Sequence, residues 1–464
     1  MKQKKIRNIT LNKNTHLMSG LFFSALILLA SSCNSGTSAT PNQVTPPSEI
    51  NTATDSANAK ANTTEPRTFQ SLELAKVIQS KVQHPKQATS VYEPAVNSPK
   101  SATYTKNGSK FYINSLEGYT TIVFDSKTLK KLKEIKHDFN ASNQQLFKDK
   151  ESTVFDYKFK QNRKEYNHFL GKPVESCLSH DGKYLWVTYY RRDWDPKAES
   201  PSAVAIIDTK TDEIVRVMPS GPLPKMIASS ADHKYIAITH WGDNTVGLID
   251  ISSNNPMDFK YINHIVVDNR LAMNFSAGTN RDSDCGNCLR GTVFTPDNEK
   301  ILVAKMGGNG IAVIDVASKE MLGTITGSYL NLRHIVINND DLYLSSNKFG
   351  KVQKANLHEV LQTPFDENKT APYKQWETAS PGLGVRTIDV TNDGKYIFAC
   401  VNNESKIAVI DASNMQKIDE IAVASFPVGM ALSPDNNQLV VTSQGKSGSP
   451  GSGNTVTVYN VNYK

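Results

Sequence analysis

Apolar runs of four to six residues, separated by short clusters of Pro, Asp, Asn and Gly, recur along most of this 464-residue chain. The stretch 288–327 shows the unit clearly: GTVFT, a turn at TPDNEK, ILVAKM, a glycine-rich turn, IAVIDV and finally MLGTITG. Apolar runs closed by turn-forming residues read as strands and hairpins, so the unit is a four-stranded antiparallel sheet. The Asp that ends VID is placed to accept hydrogen bonds from backbone N–H groups two residues on, which starts the next tight turn. One such sheet cannot bury both faces alone and must stack on copies of itself.

Seven copies align on their first turn: KNG at 106–108, HDG at 180–182, ADH at 231–233, PDN at 296–298, NDD at 339–341, NDG at 392–394 and PDN at 434–436. Each is followed by an apolar strand (KFYINS, KYLWVTY, KYIAITH, KILVAKM, DLYLSSN, KYIFACV, QLVVTS). The third strand ends on Asp125, Asp208, Asp250, Asp315 and Asp411, with Asn460 in the last copy. The fifth copy departs from the pattern, reading VQKANLHEV in its outer half. Seven four-stranded units predict an all-β fold, a seven-bladed β-propeller with blades starting near 97, 173, 224, 289, 332, 385 and 427. The last copy lacks a fourth strand, and LELAKVIQSKV at 72–82 is a candidate to supply it and close the ring, although it reads equally as a short helix.

The segments LSHDGKYLWVT followed by VAIIDTKT, and VTNDGKYIFAC followed by IAVIDAS, resemble the YVTN repeat family of seven-bladed propellers. The resemblance covers about 95–463 and implies the fold. It leaves activity open, because such propellers serve as binding proteins, lactonases and electron-transfer subunits alike.

The first residues follow a different grammar. Lys2, Lys4, Lys5, Arg7 and Lys13 make a basic start, an apolar run at 21–29 follows, and small residues lead to Cys33. The junction LLASSC resembles a bacterial lipoprotein signal, which implies cleavage of 1–32 and acylation of Cys33. Asn34 in place of Asp favours an outer-membrane destination, with the domain facing the periplasm or the cell surface. The signal carries five of the basic residues and no acid, so the whole-chain charge of +7 falls to +2 in what remains, and a nucleic-acid role loses its compositional support. Residues 34–66 are Ser, Thr, Asn, Ala and Pro with few large apolar side chains, a tether spanning about 30 Å. The propeller is expected over 67–464, with 67–95 as the candidate closing segment.

Successive first turns are 74, 51, 65, 43, 53 and 42 residues apart, so extra chain is concentrated in a few places. The insertions fall at 138–172, 190–202, 267–287, 357–382 and 444–454. Their positions between strands predict that they share one face, the pattern of a repeat protein with a single working surface.

On that face the residue opening each blade's first strand is expected at the channel mouth: Lys100, Val174, Lys225, Arg290, Arg333, Arg386 and Val428, with His334 beside Arg333. Five of the seven are basic. Converging like charges repel unless carboxylates or a bound anion neutralise them, so the column is a candidate funnel for a carboxylated, phosphorylated or sulfated ligand. The competing reading pairs each cation with Asp193, Asp195, Asp282, Asp284 or Glu377 from the insertions. The loop YYRRDWDP places Tyr190, Arg191, Arg192 and Trp194 together, a mixture typical of recognition surfaces and equally of a loop packed on its own blade. Cys285-Gly-Asn-Cys288 reads as a local disulfide outside the cytoplasm. Leu289 rather than His follows it, which is against haem attachment. Cys177 and Cys400 lie in apolar strands as small hydrophobes.

No cofactor or metal is indicated. The ten His show no HxxxH or HExxH spacing, and no GxSxG or phosphate loop appears in a supporting context. These features favour a membrane-anchored binding or scaffolding protein for a protein or anionic glycan partner. A lactonase-like hydrolase or a propeller subunit of a redox complex are the alternatives.

Overall fold

The structure, a computed structural model, describes residues 67–148, 151, 155, 157, 167–273, 279–445 and 453–464. The signal, the tether and Cys33 lie outside the described residues. Seven sheets of four or five strands form the seven blades of an all-β propeller. Their innermost strands are Pro99–Tyr104, Phe169–Ser179, Pro224–Ser229, Leu289–Phe294, Leu332–Asn338, Val385–Val390 and Pro427–Leu432, for blades 1 to 7 in turn.

The turn chemistry explains why the repeats look alike. The third residue of the first turn takes the left-handed conformation at Gly108, Gly182, Asn298, Gly394 and Asn436, where Gly and Asn tolerate positive φ best. Asp125, Asp208, Asp250 and Asp411 each accept a hydrogen bond from the N–H two residues on, at 2.8–3.1 Å. These carboxylates turn the chain from the third strand to the fourth.

Among the described residues, seven of the eight hydrophobic clusters fall between neighbouring blades. Tyr184, Trp186 and Ile206 of blade 2 pack on Ile227, Ile236 and Ile238 of blade 3, and equivalent layers fill every other interface, including blade 7 against blade 1. Each blade thus completes its neighbours' cores.

The ring closes through the first strand of the described residues. Phe69–Gln79 pairs antiparallel with Thr455–Tyr463, from Phe69 opposite Tyr463 to Gln79 opposite Thr455, and is the fourth strand of blade 7. Of the two readings of this segment, the strand is the one that forms. Pairing covers the edge of Thr455–Tyr463, which would otherwise present unpaired backbone groups. Phe69 is buried between blades, 5.8 Å from the Tyr396 ring and 6.1 Å from that of Phe398.

One insertion departs from the expectation. The segment 357–382 leaves the third strand of blade 5, Lys351–Asn356, on the side of the first turns, where Leu357 N donates to Asp340 O at 2.7 Å. It forms a short helix, Leu357–Gln362, adds Thr370–Pro372 in parallel to the outer strand of blade 4, and only then supplies the outer strand of blade 5, Glu377–Ala379. Leu357, Val360, Ala371 and Tyr373 are buried in the core between blades 4 and 5, so this segment serves the fold and begins on the opposite face from that expected.

The closing strand gives a direct test. Phe69→Ala is expected to cost about 3 kcal/mol, while Leu74→Ala, at a position 40 % exposed in the same strand, should cost under about 1 kcal/mol. Urea unfolding of the two variants beside the parent measures both; equal small losses would mean that the closing strand bears little of the stability.

Candidate functional site

All seven innermost strands make a register shift against their second strand at the same place: between Pro99 and Ala102, Pro173 and Ser176, Pro224 and Ile227, Leu289 and Thr292, Leu332 and His334, Val385 and Ile388, and Pro427 and Gly429. Each shift contains the column residue predicted from sequence. A bulge bends the strand and re-aims the side chain it carries, so Lys100, Val174, Lys225, Arg290, Arg333, Arg386 and Val428 form one ring.

Hydroxyl groups on the second strands hold the bulges. Thr188 Oγ1 accepts from Glu175 N at 3.3 Å and directs its proton at Glu175 O, 3.2 Å away, with Lys225 O of the next blade at 3.5 Å. Thr239 accepts from Met226 N and donates to Arg290 O, at 3.1 and 3.3 Å. Ser345 accepts from His334 N at 3.0 Å and donates to Arg386 O at 2.5 Å. Thr442 donates to Lys100 O at 2.6 Å, bridging blade 7 to blade 1. Buried Cys400 stands at this position in blade 6, its Sγ 3.7 Å from Gly429 O. Burial pushes its thiol, and that of Cys177, above the usual range. Cys177 packs against the core between blades 2 and 3. The carbonyls of Lys100, Lys225, Arg290 and Arg386 thus face hydroxyls of neighbouring blades, and the side chains carry whatever chemistry the ring has.

That chemistry is cationic and buried. Lys225, Arg290 and Arg386 are at most 6 % exposed, and Lys100 and Arg333 are half-buried. Lys225 Nζ lies 3.7 Å from the Tyr190 ring centroid and 4.8 Å from that of Trp241, and Arg290 and Arg386 approach Trp241 and Phe426 at 5.9 and 5.8 Å. Lys100 Nζ is 3.5 Å from Gln444 Oε1, and Arg333 Nη1 3.6 Å from Met306 Sδ. Aromatic and thioether groups thus surround the ring on the loop side. Among the described residues no carboxylate makes an ion pair with any of the five cations. The Nε atoms of Arg290, Arg333 and Arg386 are buried without a hydrogen-bond partner. Glu175, one residue past Val174, supplies the carboxylate field felt by Lys100, Arg290, Arg333 and Arg386.

The acids proposed as alternative partners are occupied elsewhere. Asp193 accepts from Leu170 N, Asp195 from Glu199 N and Ser200 N, and Asp284 from Asn280 N. Asp282 pairs with Arg191 at 2.9 Å and accepts from Tyr190 OH. Burial pushes its carboxyl up to about 6, against the pull of Lys100 and Lys172. Glu377 lies in the outer strand of blade 5.

The loop YYRRDWDP divides. Tyr190 and Arg191 reach Asp282 beside the ring, whereas Arg192 is 1 % exposed, lies over Phe169 and donates to Ser202 O. Trp194 packs against the core between blades 1 and 2. Arg192 therefore holds its own blade and is not presented to a ligand, because its guanidinium is buried over Phe169 and bonded to Ser202 O. Cys285 and Cys288 form a disulfide, packed with Trp241, Leu223 and Ala198 next to Arg290.

His334 is not a sixth cation. Burial and the nearby Arg290 pull its pKa down to about 4, leaving a neutral ring whose Nδ1 accepts from Ile388 N at 3.5 Å. It lines a recess of about 350 Å³ with Ser101, Glu175, Ser176, Thr387 and Asp389. This space begins one residue past Lys100, Arg386 and Val428 and runs along the inner strands to the exposed first turns at Lys106, Asn392 and Pro434. The space next to the ring therefore reaches the short-turn face, opposite the surface favoured by sequence. Glu175, Trp241, Phe426 and Asp389 escape a column-by-column reading; the hydroxyl column was visible as the Thr near the end of KYLWVTY, KYIAITH and QLVVTS.

No protein-family model matches this sequence, and no curated protein matches it. Solved structures do. Kuenenia stuttgartiensis hydrazine synthase aligns over 82 % of this chain and 98 % of its own, at 14 % identity and a TM-score of 0.53. The β-propeller domain of Myceliophteria thermophila Cps50 (Swd1) aligns over 86 % and 100 %, at 10 % identity and 0.54, and a chain of the mitotic checkpoint complex over 84 % and 94 %, at 11 % and 0.53. These likenesses establish the propeller fold alone.

Burial pulls the amines of Lys100 and Lys225 well below their usual range, with the neighbouring Arg groups adding to the shift. Guanidinium keeps its proton at any working pH, so the lysines are the members able to shed charge. Their folded-state pKa values lie below the unfolded value near about 10.4, so between the two the unfolded chain binds more protons and stability rises with pH. Melting temperature in buffer free of multivalent anions is expected to rise from pH 7 to pH 9, and Lys100→Met with Lys225→Met to flatten that rise. An unchanged slope in the double variant would place the charge cost elsewhere.

Proposed function

We propose that this chain is a binding protein whose channel ring holds an anionic group of its ligand. One observation carries the reading: Lys225, Arg290 and Arg386, buried, converge with half-buried Lys100 and Arg333, and none of the five has an ion-pair partner among the described residues. Removing a charge from water costs several kcal/mol unless it is compensated, so an uncompensated ring favours anion capture. Arg offers paired donors that match carboxylate, phosphate or sulfate oxygens. Lys225, Arg290, Arg333 and Arg386 come from four consecutive blades and form an arc, whereas Lys100 stands between Val174 and Val428. The ring thus attracts negative charge to one side.

The wider setting belongs to the same proposal. Lipidation at Cys33 and the tether at 34–66 would hold the propeller at a bacterial envelope membrane, as a member of the YVTN lineage. Tyr190 and Arg191, at the rim next to Asp282, are available to a protein or an anionic glycan partner.

The test is a thermal-shift series of the chain from residue 66 against sulfate, phosphate and sugar acids at two salt concentrations. A ligand at 100 times its Kd adds about 2.7 kcal/mol, and the shift is expected to fall at high salt. Replacing Arg290, Arg333 and Arg386 together by Met should leave the ligand-free protein as stable or more so, since apolar groups of similar size often stabilise a buried ionic site, and should abolish the anion shift. A shift of the same size in the triple variant would remove the ring from the binding site.

A further inference from the structure

Resting on that reading, we infer that the ligand is a compact molecule with two unlike ends: an anionic head at the ring and a polyhydroxylated body in the recess beneath it, as in a sugar phosphate or a sugar acid. The recess measures about 350 Å³, at the lower end of the range for small-molecule sites. The ring residues Lys100, Arg386 and Val428 immediately precede its lining residues Ser101, Thr387 and Gly429, and the charge of Glu175, which lines it, acts on Lys100, Arg290, Arg333 and Arg386, so the ring borders the top of the recess.

The lining below them has a different character. Glu175 carries a carboxylate with no hydrogen bond or ion pair from any described side chain, while its backbone N–H is held by Thr188. Asp389 is held from two sides, accepting from Val390 N at 2.9 Å and Leu432 N at 2.8 Å, and burial pushes its carboxyl up to about 6. Ser101, Thr103, Ser176 and Thr387 add hydroxyls, and His334 a neutral imidazole. Hydroxyl groups both donate and accept, so they can donate to Glu175 and to Thr387 Oγ1, whose own proton goes to Val428 O, and exchange bonds with the Ser101, Thr103 and Ser176 hydroxyls. An ammonium group would also suit Glu175, but the cations above it would repel it. Met226, Val336 and Met430 supply apolar wall for the carbon-bound face of a sugar.

The first turns at Lys106, Asn392 and Pro434 make the rim of the recess, so the body of the ligand points toward the short-turn face. The loop-rich face, where aromatic side chains cover the ring, remains available to another partner.

Calorimetric titration of the full-length chain with inorganic phosphate, glucose 6-phosphate, gluconate and glucose tests this. Glucose 6-phosphate is expected to bind at least tenfold tighter than phosphate, and glucose alone not at all; gluconate against glucose 6-phosphate tells which anionic head is preferred. Glu175→Gln should shrink the tenfold advantage to threefold or less without weakening phosphate, because the variant removes a charge that repels it. If phosphate and glucose 6-phosphate bind equally, the two-ended ligand is wrong while the anion ring stands. If no anion binds, the ring reading itself fails. Thr103→Cys supplies an independent readout: glucose 6-phosphate should slow its reaction with a charged thiol reagent at least fivefold, and equal rates would overturn placement of the body in the recess.

Discussion

Every blade in this molecule depends on its neighbours for half of its core. The apolar clusters lie between sheets, so a blade such as Pro224–Ser229 with its three partner strands has no interior of its own. This constraint makes the ring all or none: the face of blade 7 is buried only when it meets blade 1, and blade 7 is complete only when Phe69–Gln79 reaches Thr455–Tyr463. The pairing of Phe69–Gln79 with Thr455–Tyr463 joins the two ends of the propeller, nearly 400 residues apart at Phe69 and Tyr463. Loop closure over such a length costs only slightly more than over a short one, because the entropy grows with the logarithm of length.

The same repetition produces the site. Once each innermost strand carries its bulge at a fixed point, the residues inside the bulges must converge on the axis. A repeat that favours Lys or Arg there gathers like charges without any local attraction between them. Blade-to-blade hydroxyl bonds from Thr188, Thr239, Ser345 and Thr442 hold the backbone in this arrangement against the repulsion. Rigid backbone with unsatisfied side chains is what a preorganised anion site requires, since a ligand then meets donors already in place.

Much of this could be read from the chain. The turn residues and apolar runs give the blade count, and Gly108, Asn298 and Gly394 show why the turns look alike. The column of Lys and Arg was visible because a repeat places equivalent residues at equivalent depths. What could not be read depends on contacts between segments far apart. Nothing local in LELAKVIQSKV decides between strand and helix; the open edge of Thr455–Tyr463 decides it. Nothing in VQKANLHEV shows that its blade borrows an outer strand from residues 377–379. The composition of YYRRDWDP could not separate Arg191, which faces Asp282, from Arg192, which fills its own blade. Column counting reports depth along the axis and is blind to which end of the channel is open.

That last distinction matters most for how the molecule could be used. The ring sits near the loop-rich face, yet Tyr190, Trp241, Phe426 and Met306 crowd it from that side, while the recess runs the other way. Two faces with separate access can serve two partners without competition. A small ligand reaching the cations from below would favour their charged state, because anion capture stabilises protonated Lys100 and Lys225. Lys225 lies against Tyr190, and Tyr190 donates to Asp282, which Arg191 also grips. Lys225 and the surface that the insertions present are therefore linked through one aromatic ring and one carboxylate.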